Sequence, residues 1–412
     1  MTPNKHDDLG SDLGQAMRDQ VEGLGGAGLT LDDVKGTASR IRRRQAWTAG
    51  AAIAAVLAIA VPTALTTTGG LGDPDRNQTP ATTTPSQTTT PKQVGAPGQP
   101  LDTRDLPLGA EPHVTWLEGT TLHPAGSDPV PLERQYTQVS PYDDGWLALW
   151  NDEGTPSAEL LDADGEPKGE PFGSAYTMAV SEDRERVLYV EDGALRMHDN
   201  SSGETETLRA GLGPETEVVG VSDGPRYIAH YNVSVDGNQQ ARWFADGQDH
   251  VARPNAQFYG YNAVSGDGWV TATTSVSDTG SCSELLADDA TVARTCDFTL
   301  RAVGPDRKHV LAGPAYADGY ADGELAVLAT DGIGQGHPQL HFLQTGQWDA
   351  AIMDSVWEGS SHVLVVTATP IEGTSDRMFG VVRVGLDGAV ENAVEPVRAP
   401  EFGNPFALMT FS

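Results

Sequence analysis

The stretch "VSGDGWV", residues 264–270, is one of four similar segments in this chain. The other three begin "VSPYDDGW", "VSEDRERV" and "VSDGPRYI", and we call this segment the repeated motif. The serines of the four copies are Ser140, Ser181, Ser222 and Ser265, so that successive copies are 41, 41 and 43 residues apart. This regular spacing predicts a chain built from equivalent units of about 40 residues.

Each copy of the motif leads into a short apolar run: "WLALW", "VLYV", "YIAHY" or "WVTATT". Apolar residues that alternate over such lengths predict half-buried strands. Within the motif, Ser and Asp favour turns by bonding the local backbone, and Gly accepts a positive φ. The motif is therefore interpreted as the turn between an inner strand and the next one. A unit of this length with several strands is typical of a β-propeller blade.

A second series of turns supports the same period. We expect one hairpin turn between the outer strands of each blade. The candidate turns lie at Gly119, Gly165, Gly203, Gly247, 304–308, Gly346 and Gly388. They predict seven blades, with six or eight as alternatives. The segments "AYADGYADGELAVLATD" and "DSVWEGSSHVLVVTATP" continue the strand series between the later turns.

The two ends of the repeating region hold incomplete units. Residues 112–126, "PHVTWLEGTTLHPAG", form a hairpin with no motif before it. Residues 403–412, "GNPFALMTFS", resemble the inner strands of a blade that stops halfway. We expect the C-terminal strands and the N-terminal hairpin to complete one shared blade, because this pairs two otherwise open edges.

A predicted membrane anchor precedes this region. Residues 46–65 carry no charge and are long enough to cross a hydrocarbon core of about 30 Å. Trp47 lies at the start, where an interfacial aromatic residue is expected. The run follows a basic cluster made of Arg40, Arg42, Arg43 and Arg44. The positive-inside rule then places residues 1–45 in the cytoplasm and everything after Leu65 outside, as in a single-pass membrane protein; cleavage after a long leader is the alternative.

The predicted domains are therefore four. Residues 1–45 form a cytoplasmic amphipathic arm, residues 46–65 the anchor helix, residues 66–105 a disordered Thr/Pro-rich linker and residues 106–412 the propeller. The arm either assists membrane insertion or, through residues 7–38, docks a cytoplasmic protein. The linker acts as an extended stalk, because Pro and polar residues cannot bury enough surface to fold.

Residues 106–412 resemble the divergent WD40-like and TolB-like propellers, and the whole layout resembles actinobacterial membrane-anchored propeller proteins. The resemblance is architectural: the Trp-Asp and Gly-His dipeptides of the WD40 family occur once each, at Trp348 and Gly336. It implies an all-β propeller, but no binding residue of these families can be assigned to a position in this chain.

Charge and composition exclude some partners. The chain has 26 basic and 58 acidic residues, a net charge of −32, which argues against nucleic acid because phosphates are bound by clustered Lys and Arg. Cys282 and Cys296 are the two cysteines, and an extracytoplasmic location favours a disulfide between them, with a metal pair as the alternative. We expect no cofactor, since no phosphate-binding loop, nucleophile elbow or zinc motif occurs.

These observations favour a non-enzymatic module at the cell envelope that binds a ligand or protein on its propeller face. One alternative is an envelope hydrolase or lyase with its site at the propeller tunnel. Another is a transmembrane regulator of a cytoplasmic partner such as a sigma factor. Loops on a rigid scaffold carry the function in the first two cases.

Overall fold

The computed structural model describes residues 98–409 apart from short gaps at 153, 214, 223–226, 236–237, 253–259, 278–279, 288–289, 316–322, 336 and 345–349. The predicted arm and anchor, with Arg40, Arg42, Arg43, Arg44 and Trp47, lie outside these residues. Among the described residues, no helix is long and apolar enough to cross a membrane.

Seven sheets, each built on four antiparallel strands, follow one another along the described chain, and we number them as blades 1–7. Blade 1 contains β2 (Trp116–Glu118), β3 (Thr121–His123), β4 (Val130–Pro131) and β30 (Phe406–Leu408). Blade 2 contains β5 (Gln138–Tyr142), β6 (Gly145–Asp152), β7 (Thr155–Leu161) and β8 (Phe172–Gly173). Blade 3 contains β9 (Ala179–Val180), β10 (Arg186–Glu191), β11 (Ala194–Asp199) and β12 (Glu204–Arg209). Blade 4 contains β13 (Glu217–Ser222), β14 (Ile228–Val235), β15 (Asn238–Ala245) and β16 (Gln248–Val251).

The last three blades have the same order of strands. Blade 5 contains β17 (Gly260–Val264), β18 (Trp269–Ser277), β19 (Gly280–Ala287) and β20 (Ala290–Thr295). Blade 6 contains β21 (Phe298–Val303), β22 (His309–Pro314), β23 (Glu324–Ala329) and β24 (Leu340–Leu343), with a 3-10 turn at Thr330–Gly332 and β1 (Gln99–Pro100) added to its edge. Blade 7 contains β25 (Ala351–Glu358), β26 (His362–Pro370), β27 (Asp376–Gly385) and β28 (Val390–Asn392), and β29 (Val397–Pro400) also pairs with β27.

The apolar core is divided among seven clusters, each shared by two successive blades. One of them joins blade 7 to blade 1, which closes the circle. The first strands of blades 3, 4, 5 and 6 contact one another in order, and those of blades 7 and 1 also touch, so these strands lie towards the axis. The chain is thus a seven-bladed β-propeller, as the period of the repeated motif predicts.

The ring is closed by pairing the two ends of the repeating region. Strand β30 pairs with β2, with Trp116 opposite Leu408 and Glu118 opposite Phe406. The Gly119 amide donates to the Pro405 carbonyl at 2.7 Å and extends the same ladder. The predicted shared blade is confirmed, with the detail that one C-terminal strand joins three N-terminal strands rather than a single hairpin.

The propeller begins before the predicted boundary at residue 106. Gln99 and Pro100 pair in parallel with Phe342 and Leu343, and Leu101 is buried between blades 6 and 7. The last residues of the predicted linker therefore belong to the folded domain. The linker composition does not indicate this strand, because a two-residue edge strand with one buried apolar residue beside it is too short to show a hydrophobic pattern.

The motif copies at Ser181 and Ser265 form similar turns, whereas in blade 2 Ser140 lies within β5 and the turn follows Tyr142. The Ser265 hydroxyl accepts from the Trp269 amide at 3.0 Å and donates to the Asp267 carboxylate at 2.5 Å. Ser181 makes the equivalent bonds to the next strand and to its own turn aspartate, at 2.8 and 2.6 Å. The predicted role of the motif, a turn between the first and second strands, is confirmed.

A fifth copy, in blade 6, escaped the sequence comparison because glycine replaces its serine. The Gly304 amide donates to the His309 carbonyl at 2.8 Å, as the Ser265 amide does to Trp269. The turn at 304–308 therefore joins the first two strands, and its assignment to the outer strands was wrong. In consequence "ELAVLA" is the third strand of blade 6, not the second.

The other candidate turns divide into two groups. Gly165, Gly203, Gly247 and Gly388 lie between the third and fourth strands of their blades, as predicted. Gly119 instead lies between the second and third strands of blade 1. Gly346 lies outside the described residues.

In three of the copies, the acidic residue of the motif turn also binds a residue of the next blade. Asp143 contacts His198 of blade 3 at 2.8 Å, and Asp183 accepts from the Tyr227 hydroxyl of blade 4 at 2.9 Å. Asp267 forms an ion pair with Arg307 of blade 6. The recurrence of the motif thus has a second physical cause beyond turn geometry: it supplies contacts between blades.

The third residue after the motif serine has a positive φ: +83° at Gly268 and +62° at Arg184. A side chain costs about 1–2 kcal/mol in this region, and only Gly avoids that cost. We expect Gly268→Ala to lower the free energy of unfolding by about 1–2 kcal/mol, measured by urea denaturation. Gly213→Ala is the control. A Cβ added at either glycine would meet no atom within 4 Å, but only Gly268 has a positive φ. Equal effects of the two substitutions would contradict this account.

Candidate functional site

A cleft of about 550 Å³ lies between the outer halves of blades 3 and 4. Blade 3 contributes side chains from β10, β11 and β12, and blade 4 contributes side chains from β14, β15 and the turn after β15. The cleft forms because blades diverge as they extend away from the axis. It is therefore built on strands rather than on long loops, which makes it pre-formed.

The floor of the cleft is apolar. It consists of Met197 and Leu208 from blade 3 and Ala229 and Phe244 from blade 4. Leu208 and Ala229 are buried in the core shared by these blades, while Met197 and Phe244 are half-buried against it. The floor thus offers apolar surface that remains in contact with solvent.

The rim of the cleft is acidic. Four carboxylates line it, from Asp199, Glu204, Glu206 and Asp246, against the single guanidinium of Arg186. A hydrogen bond from the Ser201 hydroxyl is the main cause that lowers the pKa of Asp199 to about 2, and backbone amides act in the same direction. This carboxylate is therefore ionised at neutral pH.

Arg186 does not offset this charge for an incoming ligand, because it is already engaged. Its Nη1 lies 2.7 Å from Asp199 Oδ1, and its guanidinium carbon lies 4.3 Å from the centre of the Tyr227 ring. Glu204, Glu206 and Asp246 line the same opening and add to its acidic character. The cleft therefore favours ligands that combine a positive charge with an apolar surface.

Beside the cleft, a chain of hydrogen bonds runs through His198. Its Nε2 lies 2.8 Å from Asp143 Oδ1, and its Nδ1 lies 2.8 Å from Thr205 Oγ1. The imidazole is buried and stacks on Tyr142 with ring centres 3.8 Å apart. Thr205 lines the cleft. The arrangement links blades 2 and 3. It also connects a hydroxyl, an imidazole and a carboxylate in one chain of hydrogen bonds.

The first strands of blades 6 and 7 carry opposite charges, Arg301 and Asp354. Burial raises the pKa of Asp354, and the Ser355 amide and Arg301 oppose that rise. Burial likewise lowers the pKa of Arg301, against the attraction of Asp354. Both side chains keep partial solvent exposure although protein surrounds them, as expected near the axis.

The predicted pairing of Cys282 with Cys296 is confirmed, since the two form a disulfide across the β19–β20 hairpin. The metal-pair alternative is therefore wrong. The bridge closes a loop with a sequence separation of 14, and such loops contribute about 3 kcal/mol in the chain-entropy account. It lies in blade 5, away from the cleft.

Sequence reasoning missed the cleft residues. The alternating "ETETLR" of β12 signals a strand with one acidic face. Its partners in blade 4 lie about one repeat later, and only the three-dimensional register shows that Phe244 and Glu206 line the same cavity. A search for catalytic or binding residues in the motif copies could not reveal the cleft, because the motif forms the turns between the first and second strands.

Comparison with known proteins gives fold likenesses only. No protein-family model and no curated protein matches the chain. TolB from Acinetobacter baumannii is 14% identical, with 70% of this chain and 66% of that chain covered and a TM-score of 0.32. A eukaryotic initiation factor is 10% identical, with coverages of 74% and 93% and a TM-score of 0.40. A prolyl endopeptidase is 11% identical, with coverages of 64% and 50% and a TM-score of 0.36.

TolB propellers are thus among the structures to which this chain is similar, as the resemblance implies. At these identities the likeness concerns the fold alone. The seven-bladed architecture rests on the chain's own strand order and core, and neither TolB nor the endopeptidase informs its activity.

A buried histidine in blade 4 gives the protein a pH dependence. Burial lowers the pKa of His230 to about 3, and its ring packs edge-on against Tyr261. The folded state therefore keeps the ring neutral, whereas the unfolded chain binds a proton below about pH 6.5. Stability is fully present above that pH and falls as the pH drops towards 3, by about 1.4 kcal/mol per unit.

We expect His230→Phe to remove this slope. Between pH 7 and pH 5.5, the wild-type protein should lose about 1 kcal/mol more unfolding free energy than the variant, measured by urea denaturation at each pH. His337→Gln, at an exposed position, is the control and should keep the wild-type slope. The account fails if His230→Phe and wild type show the same pH dependence.

Proposed function

We propose that this chain is a non-enzymatic binding module at the cell envelope and that its cleft between blades 3 and 4 binds a basic peptide segment of a partner protein. The observation that carries this proposal is the combination of an apolar floor with four rim carboxylates. Lysine and arginine side chains fit such a site, because their methylene stems cover apolar surface while their charges stay near the rim.

The predicted topology gives the proposal its location. Residues 46–65 anchor the protein, and the linker that follows holds the propeller outside the membrane. The domain is strongly acidic, with 16 basic and 47 acidic residues in positions 106–412, so it attracts basic partners and repels anionic ones. The cleft concentrates that general attraction at one place.

Rigidity supports affinity at this site. The floor belongs to one of the seven cores that join successive blades, so the cleft keeps its shape without a ligand. A pre-formed site loses little conformational entropy on binding. The rim carboxylates contribute mainly to partner choice and association rate.

The test uses the full chain and a fluorescent, capped peptide of alternating Lys and Thr, about eight residues long. We expect the double substitution Glu204→Gln/Glu206→Gln to weaken binding about three- to tenfold, because each exposed charge pair contributes up to about 1 kcal/mol. Fluorescence anisotropy at low ionic strength gives the dissociation constants, and added salt should weaken wild-type binding.

Glu166→Gln/Glu170→Gln is the matched control. It makes the same change in charge at exposed positions in blade 2, outside the cleft. Equal weakening by the two double variants would show that net charge alone attracts the peptide. No binding to the wild-type protein would refute the proposed function.

A second candidate is an acyl-transfer enzyme, favoured by the chain of bonds from Asp143 through His198 to Thr205. In that case Thr205 Oγ1 attacks an ester carbonyl carbon while its proton passes to His198 Nδ1, and Asp143 orients the imidazole. His198 then donates that proton to the leaving alcohol as the ester C–O bond breaks, which leaves the acyl group on Thr205. Water then hydrolyses the acyl group from Thr205. The enclosed, stacked position of His198 and its bonds between blades support a structural role instead.

Ester hydrolysis distinguishes these two candidates. We expect the full chain to hydrolyse p-nitrophenyl acetate no faster than Thr205→Val does. His198→Gln serves as a second variant, because it removes the base while keeping a side chain of similar polarity. Turnover that both substitutions abolish would replace the binding module with an enzyme.

A further inference from the structure

The cleft runs along an open strand edge of blade 3. Three successive residues of β12, Glu204, Thr205 and Glu206, all line it. Successive side chains of a strand point to opposite faces of the sheet. A cavity lined by all three therefore faces the edge of the strand, where backbone amides and carbonyls lie, and not only one of its faces.

Within the described part of the chain, β12 pairs only with β11. Residues 204–207 are exposed. An exposed strand edge presents unpaired backbone donors and acceptors that can accept a further strand. The outer edge of β12 is thus a binding surface with a defined hydrogen-bonding direction.

This protein already adds a fifth strand to the outer edge of one other blade. Strand β1 pairs in parallel with β24, the outermost strand of blade 6. The geometry of that blade therefore leaves room for an extra strand at the periphery.

We propose that the basic partner segment binds as an added β-strand along β12 and so becomes a fifth strand of blade 3. This inference rests on the proposed function. In this arrangement every second side chain of the segment faces blade 4. Glu204, Glu206 and Leu208 share that face of β12, and Leu208 belongs to the cleft floor. The partner segment therefore carries Lys or Arg at alternate positions on this face.

Side chains on the opposite face of the added strand lie beside Thr205 and Thr207. Short β-branched residues suit these positions, since Thr pairs across strands by packing and hydrogen bonding. Backbone bonds to β12 provide affinity, and the alternate basic residues provide specificity, as in other strand-addition complexes. A segment with basic residues at helical spacing would not meet these requirements.

Backbone methylation of the peptide tests this mode of binding. Amides of successive residues in a strand point to opposite edges, so methylating every second amide blocks one edge only. Two peptides are compared with the parent Lys-Thr peptide, one methylated on all Lys amides and one on all Thr amides. We expect one of them to bind the full chain at least about tenfold more weakly and the other to bind like the parent.

The outcomes separate the two proposals. If both methylated peptides bind like the parent, or both lose affinity equally, strand addition is wrong while the basic-peptide site stands. If the parent peptide does not bind, both proposals fail. A capped peptide of alternating Glu and Thr has the same strand propensity and the opposite charge, and we expect no binding from it.

Discussion

The pairing of β30 with β2 is the constraint on which the remaining structure depends. Each blade covers its apolar faces only with its two neighbours, so an open row of blades would expose an apolar face at each end. Closure converts that row into a ring with seven inter-blade cores and no uncovered end. Arg383 strengthens the closure, because it binds Glu358 and the carbonyls of Ala110 and Glu111 and so holds the incoming N-terminal segment on blade 7.

Closure also determines where a binding site can form. Near the axis, the first strands of blades 3 to 6 contact one another in order, and the turn acids Asp143, Asp183 and Asp267 each bind a residue of the next blade. Farther out the blades diverge, and a gap remains wherever facing side chains are too short to fill it. Between blades 3 and 4 the outer strands carry carboxylates above Phe244 and Met197, which leaves an acidic cleft with an apolar floor.

Much of this fold could be predicted from the sequence, because the turn chemistry repeats. The Ser265 hydroxyl bonds both the Trp269 amide and the Asp267 carboxylate, and Ser181 makes the same two kinds of bond in its own turn. The same residue types therefore recur at a fixed spacing. The prediction failed where another residue can serve the same turn, as Gly304 does, or where a two-residue strand such as β1 carries no pattern. The cleft could not be predicted, since it depends on how Glu206 and Phe244 of separate blades face each other.

Hydrogen exchange of the full chain, with and without the Lys-Thr peptide, tests the central claim most directly. Edge amides of β12 exchange readily when the strand has no outer partner, and an added strand protects them. The account predicts new protection at residues 204–209 and 244–247, with the first strands unchanged. Protection confined to strands near the axis, such as Ala351–Glu358, or protection spread evenly over the acidic surface, would contradict it.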